Sequence, residues 1–382
     1  MFRWFPLFVL ASCVGQVSEL GPPPVDPSPD ARDVVDAGLA GGAAGGASAG
    51  GGVAGSGVAG GGVAGGGVAG GAGGAMSAGG SAGGAAAGGA PGGGAAGGAV
   101  VSGPCAMTGG TRAEQVCRRW RCDRMDLAEG TWSGAVASCT AGALSDAGRD
   151  NSLKLINLYR FLADLPPVTR DAAKDQASQE CALMMDANNQ LSHSPPTSWA
   201  CYSMNGATAA GRANICTGRA VRCIDLYMSD FGNETTIGHR RWFLSNQLGP
   251  VGIGGTTGGS CHHVIGGTGT ATKPWLAWPP PGPVPLEAIH IPGLPSVDST
   301  GWTVQSYGNT FNLTGATVSV MEGGQNRPVT VTRLGDNYGS RYAIRFNPMG
   351  WRTEAGRTYQ VTVSAPGLAS PITYAVEVVA CQ

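Results

Sequence analysis

The residues best able to do chemistry in this chain are its histidines, and there are only five: His193, His239, His262, His263 and His290. An imidazole titrates near neutral pH and in its neutral form ligates zinc and other transition metals. His239 sits in TIGHRRWFL, residues 236–244, followed by Arg240 and Arg241 and then by Trp242, Phe243 and Leu244. Three large apolar residues pin that turn to a core, which would hold His239 in place as a ligand, a catalyst or a structural spacer. Neighbouring side chains in a helical turn point in different directions. One arginine is therefore expected to reach an acid such as Asp225 or Asp230, as a buried guanidinium requires, while the other faces water. His193 sits in LSHSPPTSW, where prolines fix a loop, and Asp230 precedes His239 by nine residues.

Other constellations are weaker. His262 and His263 are adjacent in an expected strand, so their rings face opposite sides and at most one can join a given cleft. Ser192 beside His193 is no catalytic pair by adjacency, because a nucleophile and its base are matched by geometry. No GxSxG elbow occurs, and GGTTGGS at 254–260 lacks the lysine of a phosphate loop.

The elements that must position these residues are legible as periodicities. In NSLKLINLYRFLADL, Leu155, Leu158 and Leu162 fall on one helical face, with Phe161 adjacent. LPPVTRD ends that helix. A second runs from about 171 with Ala173, Ala177, Cys181, Met184 and Asn188 along a stripe, and a third is RAVRCIDLYMSD, with Asp230 at its end. PVGIGG at 250–255, HHVIGG at 262–267 and PWLAW at 274–278 read as strands, and PPPGPVP at 279–285 reads as a domain boundary. Beyond 286 the period is two: Val318 and Val320; Tyr342, Ile344 and Phe346; Tyr359, Val361 and Val363; Ile372, Tyr374, Val376 and Val378. Short alternating strands between Gly, Pro and Asn turns predict an Ig-like β-sandwich over 286–382.

The N-terminal part is of another kind. MFRWFPLFVLASCVG has one early positive charge and an apolar run too short to span a bilayer, so it reads as a signal segment. LASC resembles the bacterial lipobox, which implies a signal peptide over 1–12, an acylated Cys13 and, since Val14 comes next, an outer-membrane address. The alternative is an ordinary cleaved signal with a chance cysteine. Gly38 to Gly98 is almost wholly Gly and Ala, with Val53, Val58, Val63 and Val68 marking a five-residue repeat. It has nothing with which to bury a core, so 13–104 is expected to be a disordered tether. About 60 such residues span on the order of 40 Å.

Of 11 cysteines, ten remain beside Cys13: Cys105, Cys117, Cys122, Cys139, Cys181, Cys201, Cys216, Cys223, Cys261 and Cys381. An even number in an exported chain predicts up to five disulfides. Proximity in sequence suggests Cys216–Cys223 and Cys181–Cys201, and the four cysteines of 105–145 suggest a helical preface stapled to the next domain. A net charge of -1 argues against nucleic acid as the partner, and CRRWRCDR at 117–124 reads as a solvated, ion-paired helix face.

NLYR at 157–160, LSH at 191–193, ANI at 213–215 and GHRRWFL…VGIG at 238–254 occur in an order and spacing that resemble the CAP superfamily, above all its bacterial members. That superfamily groups cysteine-rich secretory proteins, venom allergens and plant pathogenesis-related proteins. The resemblance covers about 146–278 and implies an α-β-α sandwich, making the fold class α+β. It also implies a central cleft lined by two histidines and two acids. His193 and His239 match the histidines and Asp230 matches one acid. The other acid precedes the asparagine of a GEN motif, and this chain has RAN there, with Ala213 in its place. Two imidazoles and one carboxylate form the ligand set of many Zn2+ and other divalent-metal sites, with His193 and His239 as ligands. The same groups could share a proton, or merely tie a loop to the sheet. Three functions stay open. One is a cell-surface module binding a lipid, peptide or polysaccharide in the His/Asp cleft, held to the membrane through Cys13. The others are a metal-dependent hydrolase of peptides or envelope polymers, and an adhesive spacer with no cleft chemistry.

Overall fold

The computed structural model describes Cys105 and residues 109–307 and 311–381. The expected signal, Cys13 and the Gly/Ala tether lie outside the described residues.

Helix α1 (Arg112–Asp123) starts at a capping box in which Thr111 and Glu114 satisfy each other's backbone N–H groups. Helix α2 (Asp146–Leu162) buries Leu155, Leu158 and Leu162 as the stripe predicts. Helix α3 (Ala172–Asn188) is capped by Asp171, and α4 (Met204–Ala210) by Ser203. Strand β1 (Ala213–Cys216), α5 (Ala220–Ser229), α6 (Gly238–Phe243), β2 (Gly252–Gly255) and β3 (Ser260–His263) come next. The three strands form an antiparallel sheet in the order β1-β3-β2. Helix α3 lies directly on one face: a Cβ on Gly254 would fall 2.2 Å from the Gln179 nitrogen, and one on Gly252 would fall 2.4 Å from Lys174 backbone atoms. Only glycine allows that approach, which explains PVGIGG. Ile253 and His262, opposite each other in register, face the other way into the core that α2 and α5 share. Helices therefore cover both faces of the sheet, an α-β-α sandwich.

The remaining strands are β4 (Trp275–Trp278), β5 (Gly282–Pro285), β6 (Trp302–Ser306), β7 (Thr317–Glu322), β8 (Gln325–Asn326), β9 (Val329–Arg333), β10 (Tyr342–Pro348), β11 (Thr358–Ser364) and β12 (Ile372–Val379), with short helices α7 (Leu286–Ile289) and α8 (Val297–Thr300) among them. They form a four-stranded sheet β4-β6-β10-β9 and a five-stranded sheet β5-β12-β11-β7-β8. The alternating residues face inward, and Trp302 packs on Phe346 of its own sheet and on Tyr359 of the other, so the two sheets close as a β-sandwich. β4 pairs with β6, and β5 runs parallel to β12. The proline-rich stretch at 279–285 thus lies inside the sandwich, and PWLAW hydrogen-bonds with it rather than with the three-stranded sheet. A strand's partner is chosen by the whole fold, which no local pattern reveals.

Both arginines after His239 are fully buried, against the expectation that one faces water, and neither bonds a carboxylate through its side chain. Arg240 donates to the carbonyls of Met228 and Ser229 at the end of α5, and to the Gly301 carbonyl and the Thr300 hydroxyl. Arg241 donates to the carbonyls of Thr236, Gly335 and Ser340 and to the Ser340 hydroxyl. Burial lowers both to about 10, still charged at neutral pH. Main-chain carbonyls take the hydrogen bonds, the nearby Asp230 charge acts on both guanidinium groups without a direct side-chain bond, and the two side chains clamp α6 between helices and sandwich. Asp225 is taken by Arg124 and by the Tyr159 hydroxyl.

All ten cysteines pair, as Cys105–Cys122, Cys117–Cys381, Cys139–Cys201, Cys181–Cys261 and Cys216–Cys223. Cys216–Cys223 is the pair expected. Cys181–Cys201 is not formed: Cys181 points from α3 into the sheet and meets Cys261 on β3, while Cys201 meets Cys139 of the preface. Such a set forms and persists in an oxidising compartment outside the cytosol. Among the described residues no helix is long and apolar enough to cross a membrane.

Candidate functional site

His193 is placed by the end of α3. Asn189 takes a left-handed conformation there, and Asn188 bonds both ways with Ala200 across the loop, fixing the turn that carries LSHSPP. The His193 ring lies 2.8 Å through Nδ1 from the carbonyl of Ala210, the last residue of α4. A carbonyl only accepts, so Nδ1 carries the proton and Nε2 presents a lone pair. Burial lowers its pKa most; the Ala210 carbonyl opposes this and the His239 charge adds to the lowering. The ring is therefore neutral at pH 7. The two imidazoles, 46 positions apart in sequence, are near enough that one charge acts on the other.

Asp230 caps α5 in a left-handed conformation (φ 57°) and is fully buried. Its Oδ1 accepts from His239 Nδ1 at 2.7 Å and from Asn233 Nδ2 at 3.1 Å, and its Oδ2 accepts from the Arg240 backbone N–H at 3.1 Å. Asn233 Nδ2 also comes within 3.4 Å of His239 Nδ1, but both are donors and the shorter carboxylate contact decides the tautomer. In the neutral ring this tautomer leaves the lone pair on Nε2. Asn214, within ANI, donates to the His239 carbonyl, and the Tyr227 ring lies against the His239 ring with centroids 4.9 Å apart. Ile237 is also left-handed (φ 47°), an outlier for a β-branched residue. Its side chain is fully buried against Leu334 and Ala343 of the sandwich, which holds the strained turn in place.

The other histidines lie apart from this pair. His262 is fully buried beneath Tyr227 and Phe243. His263 bonds the Ile265 carbonyl, and His290 bonds Asp298 in the C-terminal part. Ala213 is buried beside Ala209 and Ala210 and supplies no carboxylate. A cavity of about 640 Å3 lies elsewhere, at the junction of β1 and α5.

The donor set decides how a metal would fit. Both oxygens of Asp230 are engaged, so it orients His239 instead of facing a ligand. Among the described residues no three His, Cys, Asp or Glu side chains group as a metal-binding set. Two Nε2 atoms, each backed by an acceptor on Nδ1, have the outer-shell arrangement of metal-binding histidines. With no third His, Cys, Asp or Glu grouped beside them among the described residues, they do not fit a closed zinc site.

Residues 153–265 match the family model named CAP, described as the cysteine-rich secretory protein family. The chain contains a CAP domain. Both histidines, Asp230 and Asn214 fall within the matched stretch of this CAP domain, and the clamping arginines join it to the sandwich. No curated protein matches the chain.

Proposed function

We propose that the CAP domain is the binding module of an exported bacterial protein held at the cell surface through Cys13, and that His193 Nε2 and His239 Nε2 are its recognition atoms. One observation carries this reading: each ring has its Nδ1 proton committed to a fixed acceptor, so two lone pairs are held ready by the fold. Such a pair accepts from the hydroxyl or amide groups of a polysaccharide, peptide or lipid headgroup, or takes up a divalent ion that the ligand helps to hold. When bound, Zn2+ would supply Lewis acidity. Hydrolysis is less well supported: Asp230 and His239 form a base with its orienting acid, yet among the described residues no hydroxyl or thiol bonds either Nε2.

Histidine-ring nitrogen NMR on the full chain tests this. At pH 7 both rings are expected to show protonated Nδ1 and bare Nε2. With Zn2+ alone as probe, the Nε2 signals of His193 and His239 should shift together, and His239→Ala should abolish the His193 shift. A bare Nδ1 and protonated Nε2 on both rings would end the proposal. Bare Nε2 atoms with no zinc-induced shift would leave direct acceptance from an organic ligand.

A further inference from the structure

The 640 Å3 cavity is bordered by the turn between β1 and α5, the first two turns of α5, and the loop after α7. We propose that it is a second ligand site, independent of the histidine pair, for an amphipathic organic anion: a carboxylate or phosphate head on a hydrocarbon body.

Two arginines at its rim supply the charge. Arg219 and Arg222 line the cavity, both are exposed, and neither side chain makes a hydrogen bond or an ion pair among the described residues. Two carboxylates, Glu129 and Asp225, line the same cavity, but both are already engaged. Asp225 is held by Arg124 and Tyr159, and both oxygens of Glu129 accept from the backbone N–H groups of Val221 and Arg222. Glu129 thereby seals the start of α5, so an incoming anion must meet the guanidinium groups themselves. Two like charges three residues apart on one helix face repel each other. A planar carboxylate or phosphate relieves that repulsion and matches the guanidinium fork.

The rest of the wall supplies the apolar part. Leu226 and Leu294 are partly buried and Pro292 is exposed, giving a hydrocarbon surface beside the charges. The volume lies in the range of small-molecule pockets. The Cys216–Cys223 disulfide crosses the turn that carries Arg219, so the site is largely preformed.

Calorimetric titration of the full chain with octyl phosphate, below its micelle concentration, tests the proposal. Octyl glucoside offers the same tail without charge, and inorganic phosphate the charge without a tail. Octyl phosphate is expected to saturate at one per chain, at least tenfold tighter than either. Arg219→Gln/Arg222→Gln should weaken it at least tenfold with an unchanged unfolding midpoint. Vesicles containing phosphatidic acid separate the sources. Co-sedimentation together with octyl phosphate binding indicates a lipid headgroup, and octyl phosphate binding alone indicates a free amphiphile. No saturable binding, equal binding of octyl glucoside, or undiminished binding by the double variant would overturn the proposal, and none of these bears on the histidine pair.

Discussion

Acidification from pH 8 to pH 5 is expected to remove about 4 kcal/mol of folding free energy, chiefly through His262 and His263, neighbours on β3. Burial drives the His262 imidazole down to about 3; the Ala220 carbonyl lies near enough to oppose this slightly, yet neither ring nitrogen makes a hydrogen bond of normal geometry. Burial, with the Lys174 charge adding to it, takes His263 to about 4. In the unfolded chain both titrate near 6.5, the ordinary value. Between the folded and unfolded values the unfolded state holds more protons, so stability rises with pH across that window and falls on acidification. At pH 5 each ring lies about 1.5 units below its unfolded pKa and is still neutral when folded, which amounts to about 2 kcal/mol apiece. His193, also lowered by burial, acts in the same direction. Asp298, lowered by bonds from His290 and Thr353 that outweigh its burial, contributes stability that is lost only below the usual carboxylate range, outside this interval. Urea unfolding with disulfides intact, followed by tryptophan fluorescence at pH 8, 6.5 and 5, measures the loss. His262→Leu should roughly halve it. A change below about 1 kcal/mol, or an identical pH dependence in His262→Leu, would show that these rings do not stay neutral in the fold.

Three further expectations can be checked directly. If the proposed divalent-ion binding holds, Asp230→Asn, which removes the charge that orients His239, should weaken Zn2+ uptake by about 10- to 100-fold, read by calorimetry. Arg240→Met strands four acceptors on both sides of α6 and should cost about 3–5 kcal/mol in urea unfolding. Replacing Cys117 and Cys381 with serine opens a closure across 264 positions. The loss should be about 4 kcal/mol in thermal or urea unfolding.

How much of the fold is legible in the sequence depends on the range of the forces involved. The stripe of Leu155, Leu158 and Leu162 and the alternation from Tyr359 to Val363 are local patterns, and both faces are buried as predicted. The four-residue strand β1 is too short to show a period, and it is recognisable only as part of ANI. The two histidines and Asp230 are legible through motif order, but their roles are not. His193 is held by a main-chain carbonyl that no side-chain pattern encodes, and Asp230 is a fully engaged support for His239. The buried arginines escape a local reading for the same reason. Most of their partners are carbonyls at 228, 229, 301, 335 and 340, gathered from distant turns. The left-handed Ile237 likewise depends on Leu334 and Ala343, about 100 positions further on.

The bond between Cys117 and Cys381 has a bearing on survival among proteases, which are common wherever disulfides persist. It closes nearly all of the described residues into one covalent ring. A single cleavage at an exposed point such as Phe231 or Met349 opens that ring without releasing a fragment. The nicked molecule migrates as one species on non-reducing electrophoresis, and both halves stay joined to the chain that precedes Cys105.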